Sequence, residues 1–182
     1  MALDTNVQQS LSALKQGPVQ VTFDPDGTPI SLFAKGGVDL TFVRGLAEAA
    51  VDIVGVYDLF TTGDGVTFTL ALPERSKAVL DHLFPEGSDG TDVLESATYR
   101  GFGKTAGQSQ RTNAKKVRMR PWQTKTSAAE QIILWVVVPS GDATLTQGTT
   151  EPHAWSQEFR ALPDPTQADG QMIGRVYTAA RS

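Results

Sequence analysis

Gly103-Lys104-Thr105 comes nearest, among the short phrases of this sequence, to residues arranged for chemistry. A glycine-lysine-threonine triplet closes a phosphate-binding loop when another glycine stands five residues before its own glycine. A helix must also follow, turning its positive end on the phosphates. Thr98 occupies the first place, and Ala106-Gly107-Gln108-Ser109 continues as loop, so no nucleotide site is expected. The two histidines, His82 and His153, have no second histidine or carboxylate at ligand spacing, and no metal is expected. Serine and aspartate are common, but no Gly-x-Ser-x-Gly elbow presents a nucleophile. Asp24-Pro25-Asp26-Gly27 and Asp89-Gly90-Thr91-Asp92 lack the ligand series and closing glutamate of a calcium loop, and read as tight turns. The chain has no cysteine, which excludes disulfides and thiolate chemistry. No catalytic residue and no cofactor is expected.

Charge is the feature with weight. From Ser96 to Ala129 there is no acid, yet Arg100, Lys104, Arg111, Lys115, Lys116, Arg118, Arg120 and Lys125 all fall there. The rest of the chain holds the other eight cations and all 20 acids, within a net charge of −4. Lys116, Arg118 and Arg120 alternate with Val117 and Met119, so the three cations share one strand face. Tyr99, Phe102 and Trp122 are not interleaved with the cations as a base-stacking platform requires, and the overall balance is acidic. Nucleic-acid binding is therefore the weaker reading of this face. Lys116, Arg118 and Arg120 are expected to meet the acidic remainder of another copy.

These side chains need elements to hold them, and the elements are mostly strands. Val38 to Val43 and Val66 to Leu72 alternate strictly, with Asp39, Thr41, Thr67 and Thr69 on the wet side. Val19 to Phe23 and Ile30 to Phe33 flank a Pro25-Asp26-Gly27-Thr28 turn. Thr61 to Gly65 reads as a turn, and residues 43–51 as the long loop of a hairpin leaving the body. Pro73 to Leu83 reads as a helix, with proline at its first position and Pro85 ending it. Glu86 to Asp92 reads as turn, Val93 to Tyr99 as strand, Gly101 to Asn113 as loop, and Gly141 to His153 as another. Ile132 to Val138 is apolar on both faces and is expected to be covered on both. Trp155 to Phe159 and Met172 to Tyr177 complete the strands. With 17 glycines and 10 prolines among short apolar runs, the expectation is a mainly β protein. It is a sandwich or barrel of two antiparallel sheets with one flanking helix and extended arms. Residues 1–18 form an N-terminal arm, 19–178 one domain containing the basic segment 100–125, and 179–182 a C-terminal tail. No apolar run is long enough to span a bilayer and no signal peptide is visible, so the chain is expected to stay where it is made, without membrane insertion.

Val51 to Asp58, Gly63-Asp64-Gly65, Phe68 to Ser76 and Leu80 to Pro85 stand in an order that resembles the middle of long-tailed bacteriophage tail tube proteins. Ile132 to Pro139, Phe159 to Asp164 and Ile173-Gly174 resemble their C-terminal part. The resemblance implies six copies closing into a ring by sheet continuation. Rings then stack into a hollow virion tube, assembled in the host cytoplasm with other tail proteins. Genomic DNA passes through it transiently, without sequence-specific binding. It also implies inter-ring contacts through the long hairpin, at Arg44, Gly45, Leu46 and Glu48, and a lumen lined by Asp39, Thr41, Thr67 and Thr69. The basic segment is longer and more charged than that pattern requires. Other readings are a related tail ring (terminator, initiator or distal hub), the tube of a contractile injection or secretion system, a carbohydrate-binding sandwich, and last an enzyme.

Overall fold

A computed structural model of the chain describes residues 18–34, 37–51, 55–72, 77–103, 107, 109–122, 130–146 and 154–177. The expected arm at 1–17, the tail at 179–182, the helix start at 73–76, Lys104-Thr105, Lys125 and His153 lie outside the described residues.

Ten strands and one α-helix are described: β1 (Val19–Phe23), β2 (Ile30–Ala34), β3 (Leu40–Val51), β4 (Gly55–Leu72), α1 (Lys77–Leu83), β5 (Asp89–Asp92), β6 (Ala97–Arg100), β7 (Lys115–Pro121), β8 (Ile132–Thr146), β9 (Ala154–Leu162) and β10 (Gly174–Val176). They form two antiparallel sheets. The large one runs β2-β1-β7-β8-β9-β4-β3, with β10 beside the start of β8; β5 and β6 make a small hairpin of their own. The fold is thus mainly β with one flanking helix, as the alternation implied.

The long strand β8 turns one sheet into two layers. Its first half lies between β7 and β10, through Val117 opposite Leu134 and Gly174 opposite Leu134. Its second half pairs with β9, Val137 opposite Ala161. The inner positions of both halves then face one chamber. Val21, Phe23, Val117, Met119 and Leu134 come from one layer, and Val66, Phe68, Leu70, Leu72 and Phe159 from the other. Phe159 stacks on Phe68 at 5.4 Å between centroids and meets Phe23 at the same distance. Helix α1 is too short to stand alone; it closes one end of the chamber with Val79 and Leu83, both buried.

Three expectations are corrected. Thr61 to Gly65 is no turn and residues 43–51 are no loop: β4 runs straight through the first, the second lies within β3, and the two strands pair as far as Val51 opposite Gly55. Bulges after Gly45 and Ala49 let the ladder absorb the glycines that looked like a break. Likewise β8 does not end at Val138. It continues to Thr146 by bulging between Ser140 and Thr144, with Gly141 at φ +71°. Gln157, 2% exposed on the inner face, holds that bulge by donating from its amide to the carbonyls of Ser140 (2.9 Å) and Gly141 (3.4 Å). Finally, the strand expected over Val93 to Tyr99 is a hairpin, with β5 where the turn was placed and the turn at residues 93–96. Asp92 decides this: its carboxylate accepts from the amides of Leu94 (2.9 Å) and Glu95 (3.3 Å).

Candidate assembly surfaces

Four surfaces could carry function. The first is the outer face of β3, β4 and β9. Residues directly opposite in antiparallel strands share a face, so Thr41, Thr67 and Arg160 make one row and Thr69 and Glu158 the next. Thr41 and Thr69 are exposed, Thr67 is half-buried, and Asp39 is exposed just before β3 begins. The pattern on β3 and β4 named the hydroxyls; it left out Arg160 and Glu158 on β9. The alternation of Ser156, Glu158 and Arg160 was visible, but nothing in sequence said that β9 lies beside β4. One cation and one acid therefore join the small polar side chains, and Ser140 donates to Glu158 at 3.1 Å.

The second is the basic face of β7. Lys116, Arg118 and Arg120 lie opposite the buried Val117 and Met119, and all three are half-buried. Lys116 pairs with Asp26 at 2.6 Å and sits 4.9 Å from the Trp135 ring centroid. Its neighbour Lys115 pairs with Asp24 at 3.0 Å, so the acids of the 24–27 turn hold lysines. Arg120 donates to Gln131 at 3.0 Å; burial, and then the charge of Arg118, lower its pKa. Arg175 lies 5.2 Å from Trp135, adding a cation from β10. Trp135 itself is half-buried and donates to the carbonyl of Gln171. The outer side of β8 is thus lined by lysine and arginine stems as well as by chain. Much of this charge is engaged within the chain.

The third is the β3–β4 hairpin. Arg44 and Asp64 approach at 3.8 Å and are largely exposed, and Leu46 is exposed as well. Gly45 pairs with Gly63 and Glu48 with Leu59 along the backbone. Phe42 lies on the inner face, opposite Val66, yet is 64% exposed. A groove of about 670 Å³ opens beside it, lined by Phe42, Val66, Ile132, Leu134, Met172 and Val176 among others. The chamber is open at this end.

The fourth is the β5–β6 hairpin, which the sequence pattern did not single out. Arg100 fastens its base, donating to the carbonyls of Phe84 (3.0 Å) and Pro85 (3.2 Å) and to Asp89 (2.9 Å). Lys77 on α1 pairs with both Asp81 and Asp89; these bonds raise its pKa and, with Arg100, lower that of Asp89. At the tip Val93 and Leu94 are 86% and 94% exposed.

Among the described residues, titratable groups on these surfaces are engaged in pairs and hydrogen bonds such as Lys116–Asp26, Arg100–Asp89 and Ser140–Glu158. Among the described residues no three His, Asp or Glu side chains lie close enough to hold a metal ion. His82 stacks on Phe23 at 4.9 Å with its Nε2 buried and unpaired. Its burial, followed by the charge of Lys115, lowers its pKa. The benefit of a positive charge at a helix C-terminus is outweighed there by desolvation.

No family model matches this sequence, and no curated protein does. Among solved structures, a chain of the sheath–tube complex of an extracellular contractile injection system, PVC, in its extended state is similar at 11% identity and a TM-score of 0.42. The alignment covers 87% of this chain and 93% of that one. A chain of the six-fold symmetrised baseplate of the anti-feeding prophage is similar at the same identity and TM-score, over 87% and 92%. Similarity at this level carries no argument about function. Among the described residues no helix is long and apolar enough to cross a membrane.

Proposed function

We propose that this chain is a structural subunit of a hollow tail tube, built from copies joined edge to edge in rings that stack. The observation that carries the reading is a sheet with two unpaired ends. Among the described residues β2 pairs only with β1 and β3 only with β4, leaving both outer strands with unmatched backbone groups. Such edges are liabilities in a lone molecule, and a ring of copies removes them. The inner-face Phe42, exposed at the open end, adds apolar surface for a neighbour to cover.

In this reading the rings are hexameric, as the sequence resemblance implies, and the Thr41/Thr67/Thr69 face lines the bore. A wall of small hydroxyls with one cation (Arg160) and two acids (Asp39 and Glu158) per copy gives phosphate little to hold, so DNA would slide without sticking. The tube belongs to a phage tail and conducts genomic DNA, with no catalytic step. The tube of a contractile injection system uses the same assembly and differs in cargo.

Negative-stain imaging of the purified chain at high concentration tests this. Hollow filaments are expected; isolated rings would favour a hub or terminator, and dispersed monomers would overturn the reading.

A further inference from the structure

Two apolar features lie at opposite ends of the described fold, and among the described residues nothing covers either. The β5–β6 hairpin leaves the body after α1, beyond the Leu72 end of β4. The groove lined by Phe42, Ile132, Met172 and Val176 opens at the Gly63–Val66 end. Strand geometry puts roughly 20 Å between Val66 and Leu72. The hairpin is tied by Arg100 to the carbonyls of Phe84 and Pro85, and its exposed tip residues Val93 and Leu94 are not among those lining the groove.

We propose that the Val93–Leu94 tip of one copy seats in the Phe42/Val176 groove of the next. This rests on the self-assembly reading above and supplies it with a specific contact. The two sites are different patches of one chain, so the contact is head-to-tail and propagates along a row of copies. The tip is already shaped for it: the Asp92 carboxylate holds the turn, and Ser96 completes it at φ +50°. Little ordering remains to be done on binding.

Charge agrees. Residues 86–99 contain Glu86, Asp89, Asp92 and Glu95 and no lysine or arginine. The groove rim carries Arg44, Asp64, Asp169 and Arg175. Asp64 answers Arg44 only at 3.8 Å, and Arg175 meets no carboxylate among the described residues. Glu95, which has no cation partner among them either, meets Arg175 at the rim of the groove.

The chain lacks cysteine, so engineered pairs report cleanly. A Leu94→Cys/Val176→Cys variant, oxidised mildly under assembling conditions, is expected to give a ladder of linked multimers. The two single variants mixed should stop at dimers, and each alone should stay unlinked. A Val93→Ser/Leu94→Ser variant, with unchanged circular dichroism, should need at least tenfold more protein to assemble. If the wild type assembles, no ladder forms and the serine variant assembles like the wild type, the contact is wrong and self-assembly stands. If the wild type sediments as a monomer and no ladder forms, both fall.

Discussion

Phe68 and Phe42 point into the same chamber from adjacent strands, but they meet opposite fates. Phe68 is 2% exposed, stacked on Phe159 beneath the layers that β8 folds together, while Phe42 is 64% exposed where those layers part. The closed end is finished by the chain itself. Helix α1 covers it, Gln157 satisfies the bulge between β8 and β9, and Arg100 locks the hairpin beside it. At the open end the same alternation of strand residues continues with nothing of the described chain laid over it. The difference separates residues that determine whether one copy folds from residues whose burial needs another copy.

Substitutions at the two ends should therefore separate stability from assembly. Phe159→Ala removes a ring packed on two others and should cost about 3–5 kcal/mol by denaturant unfolding, enough to threaten the fold. Gln157→Leu fits the buried site but strands the Ser140 and Gly141 carbonyls; a loss of about 1–3 kcal/mol is expected in the same measurement. Phe42→Ala should leave monomer stability within about 0.5 kcal/mol, since little is buried there, yet sharply reduce assembly in sedimentation. A loss of stability as large as that of Phe159→Ala would erase the distinction between the ends.

The smallest effect is a pH dependence at the closed end. His82 has a folded pKa below its ordinary 6.5, through burial and then Lys115, with Asp24 and Asp81 opposing. The unfolded chain then binds the proton more readily than the fold does. Stability is complete above about pH 6.5 and declines as pH falls from there toward the folded value. The melting temperature should drop between pH 7.5 and 5.5, and His82→Leu should flatten that part of the drop.

Sequence alone made the closed end legible, because alternation of Val, Phe, Leu and Thr states which face is dry. It also placed Lys116, Arg118 and Arg120 on one face. It did not show that their partners are near at hand, since Asp26 and Gln131 meet them only through the pairing of β1, β7 and β8. Glycine was read as a stop at Gly63, Gly65 and Gly141, and all three lie within strands. A glycine reports only that the backbone is free to bulge or to turn; a partner strand decides which. The β5–β6 tip was missed for a related reason. Val93 and Leu94 look like strand residues, and the Asp92 side chain that turns the chain there competes with a ladder that sequence cannot rank.

Hydrogen exchange on the outer strands is the most direct test of shared edges. The outward amides of β3 and β2 are expected to exchange freely in dilute monomer and to become strongly protected in the assembled form. Equal exchange in both states, with assembly confirmed by sedimentation, would mean that copies meet by some other surface.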